Sequence, residues 1–202
     1  MSEVSLSETM TSLMNSARKH FEVKQKLSIP NLINLFNPNP NLLTGIKDFS
    51  GEWVGLDKWV EDGAYKGLKV LKKSTLWSGC YQEFQVEAGK TYTFSAYVKQ
   101  DEASNDSSIY ILSTSVIGTA PTRDNNHPID VTTDWQRVSA SFYCEYSGTI
   151  DPRLEMNAEH GYMYICGYKL EEGSLATPLT ELGGVIRKHL ADLLPSRMEV
   201  AA

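Results

Sequence analysis

Aromatic side chains beside hydroxyl groups are the feature of this sequence whose chemistry is easiest to name. The chain has ten tyrosines and four tryptophans. Tyr97 and Tyr143 lie in stretches of alternating polarity, and each follows serine or threonine at alternate positions. Flat rings pack against the C–H faces of pyranose sugars, while hydroxyl groups exchange hydrogen bonds with sugar hydroxyls. These two tyrosines therefore predict a saccharide-binding surface.

Three tryptophans and one histidine are further candidates for ligand contacts. Trp53, Trp59 and Trp77 lie in or beside predicted loops, where they would form an aromatic rim around a sugar. The alternative is that these rings cap the open ends of a β-sandwich. His127 belongs to the polar stretch 123–128, which is predicted to be a loop that offers a cluster of hydrogen-bond donors and acceptors.

The sequence contains no recognisable catalytic motif. Its four histidines show neither H-x-x-x-H nor H-E-x-x-H spacing, and no G-x-S-x-G, P-loop or dinucleotide fingerprint occurs. A glycosidase pair of carboxylates stays open, because the separation that it requires is spatial and not sequential. Nothing in the sequence singles out such a pair, so the chain is predicted not to be an enzyme.

Charge and composition narrow the class of partner. The chain of 202 residues has a formal net charge of -6 at pH 7, which opposes attraction to polyphosphates and anionic lipid. We therefore expect neither nucleic acid nor membrane as a partner. The N-terminus lacks a basic segment followed by an apolar core, so no signal peptide is expected. The three cysteines are far apart and predict neither a zinc site nor a disulfide framework.

Both ends of the chain carry helical signals. Residues 1–37 are predicted to form a helical hairpin for attachment or oligomerisation. Apolar residues recur with helical spacing from Leu6 to Phe21, and a second helix is expected to begin at Ser28. Residues 180–202 are predicted to form a short C-terminal helix and tail. Because an apolar stripe needs a cover, we expect these helices to pack on each other, on the middle region or on another subunit.

The middle region, residues 41–179, is predicted to be mainly β. Every second residue from Tyr92 to Val98 is apolar, and residues 137–144 repeat the alternation, as strands with one core face do. Such strands imply a sheet that is wetted on its outer side. Further strands are expected at 68–72, 81–86, 108–114 and 162–170. Short strands with turns between them predict an antiparallel β-sandwich of the jelly-roll type.

Four segments of this region match a known pattern. They are NLLTG followed by DF within residues 41–49, YQEFQVEAGKTYTFSAYVK at 81–99, TDWQRV at 133–138 and KLEEGSLATP at 169–178. With these segments the region resembles the carbohydrate-binding-like jelly-roll modules of tail, baseplate and receptor-binding proteins from phages of Gram-positive bacteria. The predicted hairpin is similar to the short helical segments that precede such modules.

The resemblance implies a function on the virion. It implies a tail or baseplate protein, made in the host cytoplasm without a signal peptide, whose β-sandwich binds host cell-wall or cell-surface polysaccharide during adsorption. The helices would then bind other tail or baseplate proteins and further copies of the chain. A homo-oligomer, with a trimer as the first expectation, would give weak individual sites their avidity.

The resemblance also bears on three individual residues. Modules of this type often hold a structural calcium between the opening and closing strands, and Asp48 and Glu171 are the carboxylates nearest those positions. No cofactor is otherwise required. In related modules the tryptophan that corresponds to Trp135 packs against the sandwich, so a structural role is expected for it.

Two other functions stay open at this point. The alternative to saccharide binding is a structural tail adaptor or assembly protein that keeps the fold of a carbohydrate module without binding sugar, because a fold does not fix a function. DNA binding by the predicted hairpin is the third candidate, since four basic residues lie between Arg18 and Lys26. The net charge of the chain opposes DNA binding.

Overall fold

The computed structural model describes residues 6–20, 26, 28, 39–111, 126–158 and 161–179. The chain divides into two compact units, Asn41–Ala176 and a second unit that combines Met1–Pro40 with Thr177–Ala202. The second unit contains helix α1, Leu6–His20, which is the first helix of the predicted hairpin. The remainder of that hairpin after Ser28 and the predicted C-terminal helix lie outside the described residues. No helix in the described ranges is long and apolar enough to span a membrane.

Ten strands are found in the described part of the first unit. They are β1 Val60–Tyr65, β2 Leu68–Lys73, β3 Phe84–Val86, β4 Thr91–Gln100, β5 Ser104–Tyr110, β6 Asn126–Val131, β7 Gln136–Tyr143, β8 Gly148–Ile150, β9 Arg153–Met156 and β10 Met163–Glu172. One 3-10 turn, Leu56–Lys58, precedes β1. The predicted mainly β class is therefore confirmed.

The strands pair as three antiparallel groups. A five-stranded sheet has the order β1-β2-β10-β4-β7, a three-stranded sheet has the order β6-β5-β9, and β3 pairs with β8. One core joins the three groups, because Phe94, Ile109 and Ile150 belong to one cluster of fully buried side chains. The unit is thus an antiparallel β-sandwich, as the alternation of polarity predicted.

Strands β4 and β7 show how the sequence produces the core. The register of these strands sets Phe94 opposite Ala140 and Tyr92 opposite Phe142, so the apolar residues of both strands share one face. All four side chains are at most 6% exposed. The predicted inward faces of both strands are therefore confirmed.

The outer side of β4 differs from the prediction. Thr93 and Ser95 are fully buried, and Tyr97 is 4% exposed, so this part of the sheet is not wetted. Part of the cover is the segment that follows β10, where the carbonyl of Gly173 accepts a hydrogen bond from the Thr93 hydroxyl at 2.7 Å. The sequence pattern reports which side chains share a face, but not which later segment crosses that face.

Strand β10 changes face in the middle. Its pairing with β4 shifts register between Cys166 and Lys169, and Gly167 has a φ of 61°, a value that glycine adopts without strain. Ile165 before this bulge and Tyr168 after it both face the core. The bulge therefore sends Tyr164, one residue before Ile165, to the outer face.

Several strand positions were not predicted. Strands β1, β8 and β9 were missed because they are short or polar, and β5 lies mostly before the predicted segment 108–114. The prediction that His127 lies in a loop is wrong: it belongs to β6, opposite Ile109 of β5. The pairing of β6 with β5 places His127 in a strand. The sequence did not predict this strand, because Pro128 and the polar residues around it have little strand propensity.

Candidate functional site

A line of alternating lysines and aromatic rings crosses the outer face of the five-stranded sheet. Tyr164 of β10 pairs with Lys72 of β2 on one side and with Lys99 of β4 on the other. The β4–β7 register, in which Val98 pairs with Gln136, brings Lys99 beside Trp135. We call Lys72, Tyr164, Lys99 and Trp135 the aromatic row; all four side chains are half-buried.

The ammonium groups of the row lie over its rings. Lys99 Nζ is 4.5 Å from the centroid of the Tyr164 ring and 5.7 Å from that of Trp135. Lys72 Nζ is 5.9 Å from the Tyr164 centroid and 5.0 Å from that of Tyr162. Tyr162 is 42% exposed. A cation over an aromatic face is held by the ring quadrupole, so these contacts fix the lysines at the surface of the row.

The tip of the β1–β2 hairpin closes one side of the row. Tyr65, at the end of β1, stacks on Trp135 with ring centroids 4.5 Å apart and planes 12° apart. The same ring meets Tyr97 edge-on at 5.4 Å. Strands β1 and β7 are opposite edges of the sheet, so this stacking requires the hairpin tip to fold across the outer face. The fold places Tyr97 beneath Tyr65.

Carboxylates hold the polar atoms of the row. Tyr164 donates its hydroxyl hydrogen to Asp101 Oδ1 at 2.9 Å, and partial burial, together with this carboxylate, raises the pKa of Tyr164. Lys72 Nζ lies 2.9 Å from Asp62 Oδ1, a hydrogen bond that raises the pKa of Lys72. Both groups therefore keep their protons at neutral pH. Asp101 accepts the single hydroxyl hydrogen of Tyr164, so the donors left for a ligand are those of the lysine ammonium groups.

Cations also surround the covered tyrosine. Lys66 Nζ lies 4.6 Å from the centroid of the Tyr97 ring and Arg137 Cζ lies 5.5 Å from it. Arg137 donates a hydrogen bond from Nη2 to Ser95 Oγ at 2.8 Å. The region next to the row is therefore basic, although the whole chain carries a net negative charge.

The structure does not bring the six sequence-predicted ligand residues together. Tyr97 lies beneath Tyr65 and next to the row. Tyr143 is 54% exposed, but it pairs with Thr91 at the other end of β4 from Lys99. His127 is half-buried on β6, and burial lowers its pKa. A ligand that contacts Tyr143 on the outer face would therefore lie far from the row.

The three tryptophans that were predicted to form an aromatic rim also do not lie together at one site. Trp77 is 51% exposed, and its backbone N–H donates to Met156 of β9, which belongs to a different sheet from the row. Trp59 is 8% exposed and belongs to the core. Trp53 packs against the core, 5.7 Å from the Tyr168 ring. The rings of Trp53 and Trp59 thus leave little surface for a sugar, as the capping alternative requires.

The contacts of the two candidate calcium ligands do not favour a shared ion. Asp48 accepts a hydrogen bond from Ser50 N at 3.1 Å, in an exposed turn. Glu171 is fully buried, and its Oε2 lies 3.1 Å from Lys169 Nζ, so an ammonium already neutralises it. Within the described ranges, no group of three or more His, Cys, Asp or Glu side chains is arranged to hold a metal ion. The structural calcium therefore stays a prediction.

Hydrogen bonds of Asn41 join the first and last segments of the sandwich. Asn41 Nδ2 donates to the Tyr168 carbonyl at 2.9 Å, and Asn41 Oδ1 accepts from Leu170 N at 3.0 Å. The backbone N–H of Leu42 then donates to the Leu170 carbonyl at 2.8 Å. One asparagine side chain thus ties the first segment of the sandwich to β10.

Sequence reasoning missed both rings of the row as ligand contacts, although the sequence contained a signal for each of them. Val138, Ala140 and Phe142 of β7 face inward, so the same two-residue period, extended backwards, sends Trp135 outward. The alternation of Tyr164 with Ile165 carries the same information. Tyr65 had no comparable signal, because β1 is polar and contains a glycine. Trp135, for which a structural role was predicted, stacks on Tyr65 of the β1–β2 hairpin at the outer face and is not part of the core cluster.

These features define a β-sandwich with an aromatic and basic outer face. The sequence model of the carbohydrate-binding domain family matches residues 50–161, which is more than half of the chain and includes Tyr65, Lys99 and Trp135. The chain belongs to this carbohydrate-binding domain family. Membership favours a non-catalytic binding role, as the lack of catalytic motifs predicted. A search of curated proteins finds no match to the chain.

Three of the solved structures with a similar fold are described as carbohydrate-binding modules or domains. The xylan-binding CBM22-1 domain of Paenibacillus barcinonensis Xyn10C is 15% identical, with a TM-score of 0.45 over 65% of this chain and 92% of that domain. A CBM4 module is 16% identical, with a TM-score of 0.43 over 69% of this chain and 98% of the module. TmCBM61, solved with β-1,4-galactotriose, is 12% identical, with a TM-score of 0.44 over 66% and 99% of the two chains.

Proposed function

We propose that this protein binds a saccharide along the aromatic row. The observation that carries the proposal is the arrangement of Tyr164 on β10, Lys99 on β4 and Trp135 immediately before β7, side by side on one face of the sheet. Two half-buried rings separated by a lysine offer the outward part of their apolar surface to successive sugar rings, with the Lys99 ammonium between them as a hydrogen-bond donor. The family of the chain supports a carbohydrate ligand, and the row is where the described residues can meet one.

Burial restricts the site to one half of the outer face. Thr93, Ser95, Lys169 and Glu171 are fully buried, so the half of the face that they occupy has no surface for a ligand. The half that includes the row and Tyr162 keeps partly exposed rings. A saccharide chain would therefore run across the strands, from the β2 side to the β7 side.

The setting that we propose is a phage tail or baseplate, with the resemblance of four segments to receptor-binding modules as its support. The sandwich would bind a cell-wall or cell-surface polysaccharide of a Gram-positive host, and helix α1 would take part in assembly. Individual sugar sites bind weakly, and a homo-oligomer would raise the avidity of the particle. A trimer stays the first expectation, and the virion the expected location.

The competing function is a structural tail adaptor that no longer binds sugar. The complete burial of Thr93 and Ser95 favours it to some degree, because the chain itself has closed half of a face that a longer binding surface would use. The two functions differ in one measurable respect: an adaptor retains no polysaccharide, whatever its oligomeric state.

Affinity electrophoresis of the full chain tests the proposal. The gels would contain cell-wall polysaccharide from Gram-positive bacteria, xylan or β-glucan. Trp135→Ala and Tyr162→Ala are expected to weaken retention about tenfold each, since a lost stacking contact is worth roughly 1 kcal/mol or more. Tyr143→Ala is the control, because it removes an exposed ring from the far end of the same sheet.

The variants separate the possible sites. Unchanged retention by folded Trp135→Ala and Tyr162→Ala proteins contradicts the proposed site. Loss of retention in Tyr143→Ala or Trp77→Ala instead would move the site to the residues that the sequence predicted. Absence of retention by the wild-type chain on every polysaccharide favours the adaptor.

A further inference from the structure

The contacts of one lysine indicate what kind of saccharide the row would accept. Lys99 lies between the Tyr164 and Trp135 rings. Lys72, the other lysine of the row, is paired with Asp62. Within the described ranges, the contacts of the Lys99 ammonium are with the two rings, and no carboxylate pairs with it. Its charge is therefore balanced by ring faces and by water.

A sugar stacked along the row would cover this ammonium. Because Lys99 Nζ lies within 6 Å of both ring centroids, a chain that spans the two rings has to displace water from it. Removing water from a charge without supplying an opposite charge is strongly unfavourable. A neutral pyranose offers only hydroxyl oxygens in return, whereas an anionic group would form a charge-assisted hydrogen bond.

The neighbouring charges point in the same direction. Lys66, Lys72, Lys99 and Arg137 all lie over rings of this face. Among the described residues, Asp62 pairs with Lys72 and Asp101 accepts a hydrogen bond from Tyr164. Four basic side chains over the rings of one face stand out on a chain whose formal net charge is -6, and such a cluster attracts anions at short range.

We infer that the ligand of the aromatic row is an acidic saccharide, whose carboxylate or phosphate group binds the Lys99 ammonium while its sugar rings stack on Tyr164 and Trp135. This inference rests on the proposed function and adds the chemical class of the ligand. Uronic acids and phosphate-bearing glycans share the required chemistry, a fixed negative charge on a sugar ring or on the linker between rings. Lys99 would then be a specificity-determining residue.

Matched pairs of probes test the charge apart from the sugar. One arm compares oligogalacturonate with its methyl ester, which has the same sugar backbone without the charge. The other compares a phosphodiester-containing cell-wall polysaccharide before and after removal of its phosphate. Affinity of the full-length protein for each is measured by calorimetry or affinity electrophoresis, at about 0.05 M and about 0.5 M salt.

The wild-type chain is expected to bind the charged member of at least one pair about tenfold more tightly at low salt, and to lose this preference at high salt. Lys99→Gln, which keeps a polar side chain one bond shorter and removes the charge, is expected to abolish the preference. Lys58→Gln, a change at an exposed lysine that pairs with Asp57, is the matched control and should retain it. The pair that shows the effect identifies the anion.

Each other outcome contradicts the inference in its own way. Equal affinity for the charged and neutral members of both pairs overturns it while leaving saccharide binding at the row intact. A preference that survives in Lys99→Gln or in Trp135→Ala means that the charge is recognised elsewhere on the surface, which also overturns it. If no probe in either form is retained, the inference fails, and the proposed function fails with it only if the xylan and β-glucan gels also show no retention.

Discussion

Two regions of this sandwich set cations against aromatic rings, and they balance the charge differently. In the aromatic row, Lys99 lies over the Tyr164 ring at the half-exposed outer face. On the inner side of the same sheet, Lys73 Nζ lies 4.9 Å from the Trp59 ring centroid. Lys73 is 2% exposed, so it has lost nearly all of its water, whereas Lys99 has not.

The inner region supplies carboxylates for its cations. Lys73 Nζ lies 3.3 Å from Glu155 Oε2, and Arg153 Nε lies 2.6 Å from Glu155 Oε1. The backbone N–H of Gly79 donates to the same Glu155 Oε2 at 2.8 Å, and Arg153 also pairs with Asp151 at 2.9 Å. We call Lys73, Glu155, Arg153 and Asp151 the buried ion cluster.

The difference shows what each region is suited to do. A buried cation is tolerated only with an opposite charge beside it, and the buried ion cluster meets this condition within the chain. In the row, the Lys99 ammonium contacts rings and water, so it can still bind a negatively charged group of a ligand. We therefore expect the buried ion cluster to stabilise the fold and the aromatic row to bind ligand. Substitutions in each region distinguish these two roles.

The largest effect is expected from Glu155→Gln. Burial lowers the pKa of Lys73, and the Glu155 carboxylate opposes that shift, so loss of the negative charge leaves Lys73 and Arg153 without their shared partner. We expect the free energy of unfolding to fall by roughly 3–5 kcal/mol, measured by urea denaturation. Glu61→Gln, at the exposed Lys69–Glu61 pair, is the control and should change it by less than about 1 kcal/mol. Similar small losses in both variants would contradict the role assigned to the cluster.

Tyr97→Ala comes next, because it removes a buried ring from beneath the row. Tyr97 is 4% exposed and packs against Tyr65, so truncation should lower the free energy of unfolding by about 3 kcal/mol. Loss of saccharide binding in this variant would therefore not prove direct contact.

Tyr97→Phe gives the decisive comparison for this residue. It removes only the hydroxyl, which accepts a long hydrogen bond of 3.4 Å from Lys66, so a stability change below about 1 kcal/mol is expected. If Tyr97 only supports the row, this variant keeps the wild-type affinity for saccharide. A clear loss of affinity with wild-type stability would show that the Tyr97 hydroxyl contacts the ligand.

A pH effect of intermediate size is expected from Asp151. Burial raises the pKa of Asp151 from 3.8 to about 6, against the attraction of Arg153, and its Oδ1 is buried without a hydrogen-bond partner. Between these two pKa values the folded chain binds more protons than the unfolded chain at this residue. Its contribution to the free energy of unfolding therefore falls as pH rises from about 4 to about 6.

Asp151→Asn isolates this contribution. The stability of the wild-type chain relative to Asp151→Asn should fall by on the order of 2 kcal/mol between pH 4 and pH 7, measured by urea denaturation at several pH values. The comparison cancels carboxylates that titrate equally in both proteins. A relative stability that stays constant or rises with pH would mean that Arg153 outweighs burial at this carboxylate.

The sequence predicted the core-facing residues of the sandwich more accurately than the surroundings of its outward-facing residues. The alternation at Tyr92 and Phe94 predicted the core face of β4, because a two-residue period depends only on neighbours in the strand. The burial of Thr93 depends on Gly173, which lies 80 residues later in the chain. A local pattern carries no information about such a contact.

The same limit explains the errors in the candidate site. Tyr97 was correctly assigned to the outer face, but the cover by Tyr65 comes from a hairpin whose polar first strand gave no strand signal. Trp135 could have been placed outward from the alternation of β7. Its partner across the sheet, Tyr164, depends on the register of β10, and the bulge at Gly167 means that a single alternation does not run through that strand.

The smallest effect on stability, and the sharpest test of the comparison, is expected from Lys99→Gln. Cation–ring contacts at a partly exposed site are worth about 0.5–1 kcal/mol each, and Gln keeps some packing, so the free energy of unfolding should change by less than about 1 kcal/mol. A loss as large as that of Glu155→Gln would mean that Lys99 is a structural cation like Lys73, and the division between the two regions would be wrong. A small loss, combined with a reduced gain in stability when acidic saccharide is added, would separate them, because a ligand stabilises only the folded state that binds it.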